Sequence, residues 1–337
     1  MKTIKYFSCG MAVLLTVTFT GRALPLQKGL VPNDAKWLLH VDLDNLRDSK
    51  LGTVIFNEVL AGKLAELKEQ FKVDGQLILQ KMHSVTAFGT DFQTGAKANG
   101  VLLFSAEEET QKIVEGLLAA QMLQGPEGVL KKLQQEPFAL YSVTDQIFIA
   151  PRLGGYVVVS KSREQIEAVR GSLTGKAKPG AGDPFAGYAV VPNSFFFLAV
   201  AEGFNESAVI PPQAKILKMA DGARVVLGEK ADLLCLNLAL KAKDAEIIQQ
   251  IGQVLEGMKA LVALGQSENK ELLDIVQSTK VSNTEKVVTV NIEYPIAKVI
   301  GKLDGLSKHL QQSSGDSSRA KRKSHKSDQP EVEDPKQ

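Results

Sequence analysis

The chain has 337 residues, enough to bury one large core or two moderate ones. Its 40 basic and 38 acidic residues nearly cancel, and three of the basic ones fall in a leader; the remaining 37 face 38 acidic residues, so charge leaves no footprint for nucleic acid. The cysteines are Cys9 and Cys235, and loss of the leader removes the first. An intramolecular disulfide is then excluded, and cohesion must come from an apolar core.

Residues 1–23 read as a signal peptide. Lys2 and Lys5 give a positive start, Met11 to Phe19 an apolar stretch, and Gly21 and Ala23 the small side chains of a cleavage site. The uncharged run is shorter than the about 20 apolar residues a membrane span requires, so no transmembrane span is expected after cleavage. An exported chain without disulfides fits a bacterial envelope better than a eukaryotic secretory route.

The first half is expected over 24–174. "KWLLHVD" alternates as a strand, with Trp37, Leu39 and Val41 on one face and Leu38, His40 and Asp42 on the other. Phe56, Leu60, Leu64, Leu67 and Phe71 then follow helical spacing as one stripe. Asp44 sits at the change of period and is expected to cap that helix. Strands are predicted at 83–89 and 99–105, then a helix at 107–123 whose first turn holds Glu107, Glu108 and Glu109. Further strands are expected at 137–143 and 146–151. "RLGGYVVVS" carries Gly154-Gly155, the kind of pair a two-residue hairpin turn needs. A helix capped by Ser162 follows, with Ile166, Val169 and Leu173 facing inward.

The Gly- and Pro-rich stretch at 175–192 reads as a linker. The second half, 193–310, repeats the earlier order. Strands are expected at 194–201, 223–229 and 232–240, with a short helix near Gln213 to Ala220. A long helix at 243–263 and a helical turn at 270–277 lead to a hairpin and a final helix at 296–310. Ile296, Val299, Ile300, Leu303, Leu306 and Leu310 form the apolar face of that helix. The tail, 311–337, has no apolar set that could pack, and its composition predicts disorder. Its cluster from Arg319 to Lys326 is read as solubilising, with loose contact to an anionic envelope surface as an alternative.

These elements predict an α+β fold of two related halves. Each would be mostly antiparallel sheet with amphipathic helices on one face. The shared order is read as an internal duplication, most visible between "GVLLFSAEEETQKIVEGLL" and "LLCLNLALKAKDAEIIQQIGQVLEGM".

Candidates for chemistry are few. In "HVDLDNL", His40 and Asp42 share a strand face, and His83 could join them. A metal site wants three or four ligands with supporting partners, and Asp44 is better used as a cap. The stretch is therefore read as a strand end and helix start. Cys235, inside "DLLCLNLAL", reads as a small buried hydrophobe. "GTDFQTGAK" and "GARVVLGEK" miss the spacing of a phosphate loop, and "GAGDPFAG" misses that of a dinucleotide site. No nucleophile elbow or zinc-protease motif occurs. Asn205-Glu206-Ser207 fits a glycosylation sequon of the kind chance supplies. No catalytic, cofactor-binding or metal-binding residue is assigned, and no cofactor is expected.

"LVPNDAKWLLHVDLDNLRDSKLG" and "YVVVSKSREQIEAVRGSL" resemble a type of exported bacterial protein of uncharacterised function. In that type a Pro-x-Asp-Ala start leads to a strand ending in Asp and then a helix, and strand–strand–helix units recur. The resemblance implies export and a repeated architecture, and transfers no residue role. The expectation is a periplasmic or extracellular, non-enzymatic scaffold or binding protein, with an envelope protein or polymer as partner. The alternatives are a carboxylate-dependent hydrolase, and a carrier of a lipid or small molecule in a groove between the halves.

Overall fold

The structure, a computed structural model, describes residues 26–71, 73–92, 99–124, 129–175, 185, 195–204, 212–265 and 269–303. The leader, the tail, the sequon and most of the linker lie outside them. The described residues form one antiparallel sheet of twelve strands. The first half supplies β1 (Trp37–Asp42), β2 (Met82–Gly89), β3 (Val101–Ala106), β4 (Leu130–Gln134), β5 (Leu140–Val143), β6 (Ile147–Leu153) and β7 (Tyr156–Ser160). The second supplies β8 (Phe195–Glu202), β9 (Gly222–Lys230), β10 (Leu233–Lys241), β11 (Thr279–Asn283) and β12 (Val287–Pro295).

The spatial order is β11-β12-β10-β9-β8-β1-β2-β3-β7-β6-β5-β4. The halves join through β1 and β8, antiparallel, with Leu39 opposite Ala199 and Val41 opposite Phe197. Outward from that pair, β2 and β3 follow β1 on one side, and β9 and β10 follow β8 on the other, each as an antiparallel meander. On both sides the chain then crosses to the outer edge and returns: β3 leads to β4, and β5, β6 and β7 come back to pair with β3, while β10 leads to β11 and β12 comes back to pair with β10. The predicted Gly154-Gly155 turn is present, with φ of +59° and +91°. The β5–β6 turn puts Thr144 and Asp145 at positive φ, and the β9–β10 turn does the same to Ala231 and Asp232. None of these four is a glycine, so those turns left a weaker mark on the sequence.

The helices are α1 (Leu43–Asp48), α2 (Lys50–Val54), α3 (Ala61–Phe71), α4 (Gly75–Gln80), α5 (Glu108–Gln124), α6 (Arg163–Leu173), α7 (Ala245–Gly265) and α8 (Lys270–Ser278). Helical turns at 296–303 make α9. The α+β class with antiparallel pairing is present as expected. Side-chain alternation separates two sheet faces. Leu38, Leu103, Val158, Leu198 and Val226 point to one, where Ile166 and Val169 of α6 close the core. Leu238, Leu240 and Val288 point to the other, under Ile248 and Ile251 of α7. Residues of α1 and α9 pack on that second face with Val41, Val85 and Leu227. Most helices thus share a face, and α6 takes the opposite one because the first half buries apolar residues there as well. Phe185, from the stretch expected as linker, is buried in the α6-side core.

Two expectations are corrected. The helix cap at the period change is Asp42, two residues before Asp44; its Oδ1 accepts a hydrogen bond from Asn45 N at 2.9 Å. The single helical stripe after it is broken into α1, α2, a π-helical turn at Ile55–Val59 and α3. Leu60 N donates to Ile55 O at 2.9 Å, so that turn holds an extra residue and rotates the face. The short elements β4 and α4 were not anticipated, since five or six residues give too little periodicity to read.

Candidate functional site

The residues of "HVDLDNL" are taken up by structural contacts. His40 and Asp42 are both 1% exposed on the α6-side face of β1. His40 Nδ1 lies 2.8 Å from Thr86 Oγ1, and burial lowers the ring pKa from 6.5 to about 4. Asp42 accepts from Asn45 N and, at 3.0 Å, from Asn45 Nδ2; burial pushes its carboxyl pKa up. Asp44 accepts from Arg47 Nη1 at 2.7 Å and lies 2.9 Å from His83 Nδ1. Arg47 also donates to the carbonyls of Leu79 and Met82, so this cluster ties α1 to α4 and β2. Among the described residues no group of three or more His, Cys, Asp or Glu is placed to hold a metal. Cys235 is half-buried, and burial raises its thiol pKa, which disfavours the reactive thiolate. His309 and His325 lie outside the described residues.

A groove of about 500 Å³ opens on the other face of the second half. Its floor is a lateral row set by strand register. Leu227 of β9 stands opposite Leu236 of β10, and Leu236 opposite Ile292 of β12. Leu234 and Tyr294 form the next paired row. These positions alternate with outward-facing ones, as a strand requires, yet the floor is only partly buried, so an apolar surface is left unfinished.

Two helices form the walls. α8 is capped by Asn269, whose side chain accepts from Leu272 N at 3.2 Å, and it turns Ile275 toward the floor. α9 follows β12 directly and brings Val299 and Leu303 to the opposite side. Lys298 and Lys302, one helical turn apart, line the groove on its α9 side. Lys298 Nζ donates to Asp274 Oδ2 at 2.5 Å, and Lys302 pairs with Glu271. Hydrogen bonds donated to those carboxylates raise both lysine pKa values, so both stay charged. Tyr294 is 8% exposed, and its hydroxyl is buried without a hydrogen-bond partner. Such a group costs about 1–3 kcal/mol until something pairs with it.

The groove was not foreseen in the sequence, where the carrier alternative had placed a groove between the halves. Its one signal is "EYPIAKVIGKL", a strand passing straight into a helix that sets lysines at i and i+4 beside its apolar stripe.

A smaller cavity, about 250 Å³, lies between α6 and the segment before β1. Two carboxylates, Asp34 and Glu164, line it. Glu164 accepts from Ser162 Oγ at 2.6 Å, which lowers its pKa and unfits it as a general acid.

Among the described residues no helix is long and apolar enough to cross a membrane. No family model matches this chain, and no curated protein matches it. Among solved structures, crystal form III of the bacterial protein TP0453 is similar, with a TM-score of 0.45 at 11% identity, over 81% of this chain and 97% of that one. Crystal form I of the same protein gives 0.42 at 12% identity, over 82% and 96%. A likeness of this degree transfers no residue role.

Proposed function

We propose that this chain is an exported, non-enzymatic binding protein of the bacterial envelope, and that it holds an apolar ligand in the groove over β9, β10 and β12. The observation that carries the reading is the floor of that groove: aliphatic side chains in register across three strands, left partly open between two helices. Its volume falls in the range of small-molecule sites, about 300–1,000 Å³. A protein or polymer partner would be better served by a broad bare sheet surface, whereas helices lie on both faces of this sheet. A hydrolase reading finds little support in the described carboxylates. Asp42 is sealed in the core, and Glu164 has its pKa shifted the wrong way for an acid. The meanders β1-β2-β3 and β8-β9-β10, each followed by a crossover to the edge and a return beside the third strand, support descent from a duplicated unit, although one side carries the extra strands β4 and β5 and the closing helices α6 and α9 lie on opposite faces.

The test is titration of the purified full chain with an uncharged fluorescent alkyl probe. Wild type is expected to bind it. Leu236→Asp and Ile292→Asp are expected to weaken binding at least tenfold while the far-ultraviolet circular dichroism stays unchanged, because a charge on the floor faces the ligand. Failure of wild type to bind, or equal binding by the folded Asp variants, would remove the groove from the reading.

A further inference from the structure

We infer that the occupant of this groove is a free fatty acid, a single acyl chain ending in a carboxylate. This rests on the reading of the groove as an apolar-ligand site and adds the headgroup. Among the described residues that line the groove, the charged ones are Lys298 and Lys302, and both are cations. Their partners Asp274 and Glu271 lie outside the lining, so an anionic head entering the groove meets ammonium groups on its own surface.

A second observation is independent of charge. The hydroxyl of Tyr294, on the floor strand β12, is buried and lacks a hydrogen-bond partner. Lys298 Nζ stands 5.6 Å from the centre of the Tyr294 ring, so the two side chains are neighbours where α9 meets the floor. A carboxylate has two oxygens and can accept from both. The hydrocarbon then lies on the Leu227–Leu236–Ile292 row, where each buried methylene adds to affinity. The exposed pairs of Lys298 and Lys302 are no barrier, because ion pairs open to solvent are weak and exchange readily. A long-chain alcohol would make the same apolar contacts without a charged head, and acetate would supply the head without the chain.

The experiment compares hexadecanoate, hexadecanol and acetate on the full chain by calorimetry, at low and at 0.5 M salt. Hexadecanoate is expected to bind at least tenfold more tightly than hexadecanol, and acetate not at all. Lys298→Met and Tyr294→Phe should each cut that preference at least threefold, with Lys298→Arg restoring it. Asp274→Asn combined with Glu271→Gln should strengthen hexadecanoate binding and leave hexadecanol unchanged. Equal binding of acid and alcohol to wild type would overturn the headgroup and leave the groove reading standing. Absence of binding by both long-chain ligands would overturn the two together. Binding of acetate alone would point to a site for small anions and overturn the fatty acid.

Discussion

His40 Nδ1 and Thr86 Oγ1 lie 2.8 Å apart across the paired strands β1 and β2, while the other ring nitrogen, Nε2, is buried without a hydrogen-bond partner. A neutral imidazole tolerates that position; an imidazolium would have to place a charge there. His40 therefore gives stability a pH dependence. Above pH 6.5 the ring is neutral in both folded and unfolded chain, and its full contribution is present. Between 6.5 and about 4 the unfolded chain takes up the proton and the folded chain does not, so stability falls as pH falls. The slope is about 1.4 kcal/mol per pH unit, and below about 4 the loss ends. Asp42, with its carboxyl pKa raised by burial, acts in the opposite sense and regains stability as it protonates. Urea unfolding is expected to show a loss of about 2 kcal/mol from His40 between pH 7 and pH 5. His40→Leu should flatten that limb, and an unchanged slope would assign it to other groups.

Asp42, not Asp44, starts the helix. Asp42→Ala should cost about 1–2 kcal/mol, the usual loss for a helix cap. Asp42→Asn should cost less, because it keeps an acceptor for Asn45 N and removes a buried charge. Asp44→Ala loses its contacts with Arg47 and His83 at the surface and should cost less than about 1 kcal/mol. A larger loss for Asp44→Ala than for Asp42→Ala, measured by thermal or urea unfolding, would reverse this assignment.

Gly52 holds α2 against α1. A Cβ there would stand 1.7 Å from the carbonyl oxygen of Leu46, and backbone cannot step aside as a flexible side chain can. Gly52→Ala is expected to cost about 3 kcal/mol. Gly116, inside α5, has nothing within 4 Å of the same position. Gly116→Ala should instead stabilise by up to about 1 kcal/mol from helix propensity. Similar melting temperatures for the two variants would refute the contrast.

On α7, Leu261 is 70% and Leu264 is 77% exposed. Replacing both with Lys should shift stability by no more than about 0.5 kcal/mol per site. The same change should lower binding of the dye ANS, because an apolar surface patch has been removed. Marked destabilisation would show that these side chains are packed in the folded chain.

Much of the secondary structure could be read from residue order alone. The alternation in "KWLLHVD" and "DLLCLNLAL" became β1 and β10, and Gly154-Gly155 became the hairpin between β6 and β7. Ser162 caps α6, with Gln165 N donating to its Oγ at 3.3 Å. Each of these signals lies within a few neighbouring residues. The candidate site was not legible in this way. Leu227, Leu236 and Ile292 fall in three separate strands, β9, β10 and β12, and the missing roof over their shared row has no local mark.

Residue order by itself determined the longer strands and helices and the glycine turn at Gly154-Gly155, because side-chain spacing and Cβ sterics act over one or two turns of chain. Tertiary structure alone decided that β1 pairs with β8, that Asp42 rather than Asp44 meets the free amide of Asn45, and that α8 and α9 stand apart over an apolar floor. Those outcomes depend on register between residues far apart in the chain, such as Leu39 and Ala199, 160 residues apart, and on which surfaces remain to be covered once the sheet has formed.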